Sequence, residues 1–492
     1  MERTSHHGGA TPADVIQSLD QLVHQEFDQN LRILAFNEYL GLAREKPLTQ
    51  LRGSARYLSD MMDHFGRTTT PSGATHFNVF DIVSEDNARR VIGQESAQSA
   101  IYRSLKTFSR QGHNNKLILL HGPNGSAKTS LAHGLMAGME RFSRQPEGAQ
   151  YTFSWVFPVE RYTKGGIGLG TYGGGAADRP RELASYAKLP DEEIAARLPC
   201  EMKDHPILII PRDQRKTFLE KLLGEAEAQT IWSQMPLYLT RGELNHRDRL
   251  IFDALLAANG GELKRVLMHV QVERFYFSRR YRRGVVTIEP QLHVDAQAHQ
   301  ITMNKSLGAL PSSLQSLSLF NLSGDLVDGN RGLIEYSDLL KRPVDTFKYL
   351  LIACETGAVN VGSSIAFLDA VMIGSTNELQ LDAFKEFPDF MSFKARMELI
   401  RAPYLLSVSQ ERQIYQPDLE QISAEKPVAP HTDWTIALWA VLTRLKKPNS
   451  INYPPNIASI VSNLNPLEKS RLYDTGEMPA ALGPEERKIL KS

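Results

Sequence analysis

The chain has 492 residues, of which 41% are hydrophobic and 23% charged, enough for about three folded domains and too apolar for wholesale disorder. Lys plus Arg and Asp plus Glu both number 56, so the zero formal net charge favours neither nucleic acid nor an acidic membrane surface as a partner. No apolar stretch approaches the ~20 residues of a membrane span, and Cys200 and Cys354 are too few for a disulfide framework or a thiolate metal site, which leaves a cytoplasmic protein as the expectation.

The first ten residues are polar and read as an untethered tail. "TPADVIQSLDQL" then opens as a helix, with Thr11 as cap and Pro12 in the first turn. "FNEYLGLAREKP" and "LRGSARYLSDMMDHFG" keep apolar residues at three- and four-residue spacing, so 11–66 is expected to be helical. "RTTTPSGATHFN" is a turn-rich connector that completes an N-terminal region over 1–88. From 89 to 403 the texture is that of an α/β core. A helix over "VIGQESAQSAIYRSLKTFSRQ" precedes a strand at Leu117–Leu120, a glycine turn and the helix "KTSLAHGLMAGMERF". "YTFSWVFP", "PILIIP", "GVVTIEP", "GLIEYS" and "DAVMIGSTN" follow as short apolar runs between helical segments, a pattern that predicts a parallel sheet. Residues 180–310 are less regular and read as an insertion. Residues 404–492 are helical again, with "TDWTIALWAVLTRLKK" followed by loop-rich sequence.

The turn is the most informative segment. "HGPNGSAKTS" nearly spells G-x-x-x-x-G-K-[ST], with Ala127 in place of the second glycine. Such a loop aims backbone N–H groups and a helix N-terminus at phosphate oxygens, with a Lys for the β/γ phosphates and a Ser/Thr hydroxyl for Mg²⁺. Gly122, Pro123, Asn124, Gly125, Ser126, Ala127, Lys128, Thr129 and Ser130 are therefore the expected ATP-binding residues. Ala127 is expected near helical dihedrals, where a methyl costs nothing. A second glycine-rich string, "KGGIGLGTYGGGA", matches G-x-G-x-x-G at Gly168, Gly170 and Gly173. No helix pattern opens behind it, so it reads as a flexible or substrate-gripping loop with Tyr172 at the tip. The basic run "RFYFSRRYRRG" reads first as a solvated face or subunit contact, and no Cys/His spacing suggests zinc.

Hydrolysis further needs acids for Mg²⁺ and water, a polar group near the γ-phosphate, and an Arg for developing charge. "NRGLIEYSDLL" offers Glu335 and Asp338, "VMIGSTN" offers Asn377, and "FKARMELIRAP" offers Arg396 and Arg401. Their order, with "VIGQ" upstream, resembles an AAA+ ATPase with a P-loop parallel sheet flanked by helices, a small helical N-terminal region and a partial helical lid. One departure stands out. Glu335 follows only Leu333 and Ile334, where AAA+ proteins usually carry four apolar residues and then Asp-Glu, so the division of labour between the two acids stays open.

The strings "FNEYLGL", "RYLSDMMDHFG", "HGPNGSAKTS", "FSRRYRRGVVTIEP" and "NRGLIEYSDLLKRP" together resemble the bacterial PrkA family of serine protein kinases with an AAA+ domain. The resemblance runs from Phe36 to the chain end. It implies ATP binding at Gly122 to Thr129, a cytoplasmic location and a protein substrate phosphorylated on Ser or Thr; the full reading adds Mg²⁺ as cofactor and a homo-oligomer. Lys128 would hold the β/γ phosphates and Thr129 the Mg²⁺. Glu335 and Asp338 would serve metal and water, Asn377 would sense the γ-phosphate, and Arg396 would reach a neighbour's ATP. Family members continue through the rest of the lid to a region credited with kinase activity, so "EERKILKS" is expected to end an N-terminal portion or a short member. Two other readings remain: an ATP-driven remodeller or protease-associated ATPase that phosphorylates nothing, and a nucleotide-gated scaffold.

Overall fold

The computed structural model describes residues 16–17, 19–20, 33–70, 73–83, 90–159, 184–290, 297–300, 320–361, 364–447, 451, 453–478 and 482–491. Tyr172 and its glycines, together with Thr11 and Pro12, lie outside the described residues. Strand β1 (Ile33–Ala35), inside the stretch expected to be helical, leads into helices α1 (Phe36–Glu45) and α2 (Ser54–Phe65), which the apolar spacing predicts. Helix α3 (Glu95–Gln111), strand β2 (Leu117–His121) and helix α4 (Lys128–Ser143) follow around the glycine turn.

Strand β3 (Gln150–Pro158) departs from the expected parallel sheet. It pairs antiparallel with β4 (Ile194–Pro199) and β5 (Val270–Phe275), and with β1 forms a separate four-stranded sheet in the order β1-β5-β3-β4. The run "YTFSWVFP" is buried along nearly its whole length. A strand covered on both faces has the same continuous apolar texture in either kind of sheet, so periodicity could not separate them. "PILIIP" is likewise no strand but a 3₁₀ turn at Pro206–Ile209, capped by His205 Nδ1 accepting from the Ile207 N–H at 3.2 Å. The rest of the insertion is largely helical, including α5 (Arg212–Leu223), α6 (Glu225–Gln234) and α7 (His246–Ala258).

Strands β6 (Val285–Ile288), β7 (Leu333–Tyr336), β8 (Val371–Thr376) and β9 (Met397–Arg401) join β2 in a five-stranded sheet in the order β9-β2-β8-β7-β6, parallel throughout. Helices cover both faces, as a parallel sheet requires. Side chains alternate between two cores. Ile118, Leu120, Leu333 and Ile373 pack with Leu131 and Leu135 of α4, while Leu117, Leu119, Ile334 and Tyr336 join the core of the insertion. Helices α8 (Glu378–Lys385) and α9 (Phe390–Ala395) connect β8 to β9. Beyond β9, α10 (Val408–Glu425) and α11 (Thr432–Arg444) pair around a small core of Val408, Ala437 and Val441.

Candidate functional site

The glycine turn leaves the C-terminal end of β2 with Gly122 at φ +157°, and a Cβ there would lie 2.1 Å from the Ala402 carbonyl oxygen. Only glycine lets β2 and the segment after β9 approach this closely. Gly125 takes φ +78° in open space. Ala127 corrects the sequence expectation: it sits in the left-handed region at φ +63°, ψ +19°, not near helical dihedrals. Its methyl therefore carries a strain that glycine would not.

Lys128 begins α4 and is buried, its Nζ donating to the carbonyls of Gly122 (3.0 Å) and Pro123 (2.7 Å). It forms no ion pair among the described residues. Burial lowers its pKa from the ordinary lysine value, while the charges of Asp338 and Glu378 pull it back up. Ser126 is 3% exposed, and its Oγ has no partner among the described residues. Asn124 and Thr129 are exposed; Pro123 and Ser130 are half-buried. The loop thus offers a retracted cation, an unpaired hydroxyl and the open N-terminus of a 16-residue helix.

The two acids lie at different depths. Asp338 follows the end of β7 in the left-handed region; its N–H donates to Ser375 Oγ (3.0 Å) and its carboxylate meets Lys341 Nζ (2.5 Å). Glu335 is within β7, paired with Ile373 and Thr287 across the sheet and level with Ile118 of β2. Asp338 lies three positions beyond Glu335, roughly 10 Å for an extended chain. Only Asp338 stands at the sheet end that carries the loop. A run of two apolar residues before Glu335 gave no way to tell where the strand would stop.

Asn377 directly follows β8, whose last residue Thr376 pairs with His121, and caps α8 by accepting the Gln380 N–H at 2.8 Å. Arg401 pairs with His121 in the sheet register, and its guanidinium is 3.2 Å from Glu378. Arg396 lies at the other end of β9. Its carbonyl accepts from Leu117 N–H (2.9 Å), and its guanidinium holds Glu355 (2.6 Å). The sheet therefore gathers Lys128, Asp338, Asn377 and Arg401 at one end and leaves Arg396 at the other.

Two contributors, Glu378 and His121, went unread in the sequence, and Gln94 was read only as part of "VIGQ". Glu378 directly follows Asn377 and acts electrostatically on both Lys128 and His121. Burial pushes the His121 pKa down, and its Nδ1 is unpaired among the described residues. Gln94 of "VIGQ" takes φ +63° and donates to the Pro403 carbonyl at 2.6 Å, fastening the start of α3 to the segment after β9. The basic run is partly internal: Arg274 donates to the Ser143 (2.6 Å) and Gln145 (2.8 Å) carbonyls, and Arg282 pairs with Asp325. Among the described residues no helix is long and apolar enough to cross a membrane.

The PrkA AAA domain family matches residues 189–452, more than half of the chain. The "ATP-dependent protease PrkA" of Bacillus subtilis is 22% identical over 468 residues, which cover 94% of this chain and 60% of that protein. The "Serine/threonine kinase YeaG" of Escherichia coli K12 is 28% identical over 159 residues, 32% of this chain and 24% of that protein. The chain thus spans less than two thirds of these relatives. A crystal structure of NtrX from Brucella abortus aligns at 13% identity with a TM-score of 0.23, covering 56% of this chain and 65% of that one, too distant to argue from. The glycine turn precedes the family match but falls where the Bacillus alignment spans nearly the whole chain. Family and relatives support an ATP-binding AAA-type module. By the span of the family match and its sheet of parallel strands, the chain belongs to the PrkA AAA domain family.

Proposed function

We propose that this chain is the Mg²⁺-dependent, ATP-hydrolysing module of a PrkA-like serine/threonine protein kinase. The observation that carries the reading is Lys128, a buried cation at the first residue of α4 held, among the described residues, only by carbonyls of its own loop. A phosphate chain would replace those carbonyls with full negative charge. Thr129, exposed on the first turn, and Asp338, acting electrostatically on Lys128, suit the hard oxygen coordination of Mg²⁺. When bound, that ion neutralises charge on the phosphates. Asn377 would touch the γ-phosphate from the end of β8. Glu335 was grouped with the metal acids on sequence, but its depth in the sheet speaks for another role.

Arg396 is too far down β9 to serve its own loop, so its use as an arginine finger requires a second copy of the chain. In that copy's site it would exchange Glu355 for phosphate. An Arg396→Ala chain should keep its ATP affinity and lose turnover; full turnover in a strict monomer contradicts the oligomer.

A remodelling or protease-associated ATPase is the second reading, favoured by the name of the relative that aligns over most of the chain. Phosphate accounting with γ-labelled ATP separates the two. Lys128-dependent label on protein serine or threonine supports the kinase, while label released wholly as inorganic phosphate supports the remodeller.

A further inference from the structure

Glu335 is 1% exposed, within a parallel sheet where it pairs with Ile373 on one side and Thr287 on the other. Burying a carboxylate there costs several kcal/mol unless partners compensate. Its Oε2 accepts from Thr287 Oγ1 at 2.8 Å and stands 3.2 Å from His133 Nε2, while Oε1 has no partner among the described residues. Leu333 belongs to the core that contains Leu131 and Leu135, so Glu335, two residues on, faces α4 as well. His133 follows Thr129 by four residues and lies on the same face of α4, one turn further in. Thr287 also lies 4.0 Å from Met136 Sδ, on the next turn of that helix.

We infer that Glu335 is a positioning residue: through His133 it fixes the height and rotation of α4 against β6 and β7, and so sets Lys128 and Thr129 opposite Asp338. The inference rests on the nucleotide reading of the loop. Its physical basis is that a hydrophobic contact slides, whereas a carboxylate held at 2.8 Å by Thr287 Oγ1 and 3.2 Å from His133 Nε2 has a directional geometry. The helix that begins with Lys128 otherwise meets β7 and β6 through leucine and methionine side chains, which tolerate small shifts. A shift of the helix start would move the cation and the hydroxyl together.

The test is ATP affinity measured with a fluorescent nucleotide, in Mg²⁺ and in EDTA, alongside thermal unfolding. The proteins are wild type, Glu335→Gln, His133→Gln, the double variant, and Lys128→Ala as control. A positioning role predicts that each single variant weakens ATP by about tenfold, by the same factor with and without Mg²⁺, and that the double variant is no weaker than either single. A loss confined to Mg²⁺ makes Glu335 a metal ligand and overturns the inference. A lower unfolding temperature with unchanged affinity reduces the pair to ordinary packing and also overturns it. Should Glu335→Gln not fold, His133→Gln carries the same reading, since its side chain is 23% exposed and tolerant of change. Wild type that binds no nucleotide would instead refute the reading of the loop.

Discussion

The loop end of the parallel sheet and the insertion both bury polar groups, but they treat them oppositely. In the insertion the fully buried Arg215, Asp204 and Asp248 are each held by several hydrogen bonds. Fully buried Arg215 donates to the carbonyls of Ile210, Leu239 and Gly242 at 2.6–3.1 Å. Asp204 accepts from Tyr238 Oη (2.9 Å), Asn245 N–H (3.1 Å) and Asn245 Nδ2 (3.0 Å). Asp248 accepts from Trp155 Nε1 (3.2 Å) and Asn245 Nδ2 (2.7 Å). Cys200, Asp204 and Asp248 lie within 4.8 Å of one another, yet these bonds make them a closed network and not an open metal site. At the loop, by contrast, Gln94 Oε1, His121 Nδ1 and Ser126 Oγ are buried without partners among the described residues, and Lys128 has only carbonyls. A buried polar atom left unpaired costs free energy that a ligand can recover. At the loop, three such atoms beside a Lys held by carbonyls mark a place for a ligand.

The largest effect expected from this contrast is on stability, in the insertion. Arg215→Ala would leave several carbonyls unpaired in a dry interior and open a cavity, destabilising the chain by about 4 kcal/mol. Denaturant unfolding measures this, and a cost below about 1 kcal/mol would break the comparison. The second effect is a pH dependence. Burial, with the nearby Asp248 charge, raises the Asp204 carboxyl from 3.8 to about 6. A raised folded-state pKa means that the group's favourable contribution is complete below about pH 4 and is lost as pH rises through about 6. The unfolding free energy of wild type relative to Asp204→Asn should therefore fall across that window, by an amount on the order of 3 kcal/mol. A pH-independent difference contradicts it. The smallest effect is at the loop, where Ala127→Gly removes left-handed strain and should stabilise by about 1 kcal/mol or less, with ATP binding retained. A clear loss of stability would show that the turn relaxes in solution.

What was legible in the sequence follows the same divide. The strand–turn–helix around Lys128 was readable because phosphate chemistry fixes residue types at fixed spacing. Strands β7 and β8 were readable as short apolar runs. The depth of Glu335 was not, because a strand's last residue depends on its neighbours' register. The separate sheet around Trp155 was not, because pairing direction leaves no trace in a fully buried strand. Ala127's left-handed backbone was missed because the loop geometry, not the residue's own preference, sets it.

The central claim, that the under-satisfied end of the sheet is a nucleotide site, is tested most directly by titrating Mg²⁺-ATP into wild type and Lys128→Ala while following heat and unfolding temperature. The account predicts saturable binding and a raised unfolding temperature for wild type. For Lys128→Ala it predicts affinity at least about 100-fold weaker, nearly 3 kcal/mol, with the unliganded stability within about 1 kcal/mol of wild type. Equal ATP binding by the two proteins would contradict it.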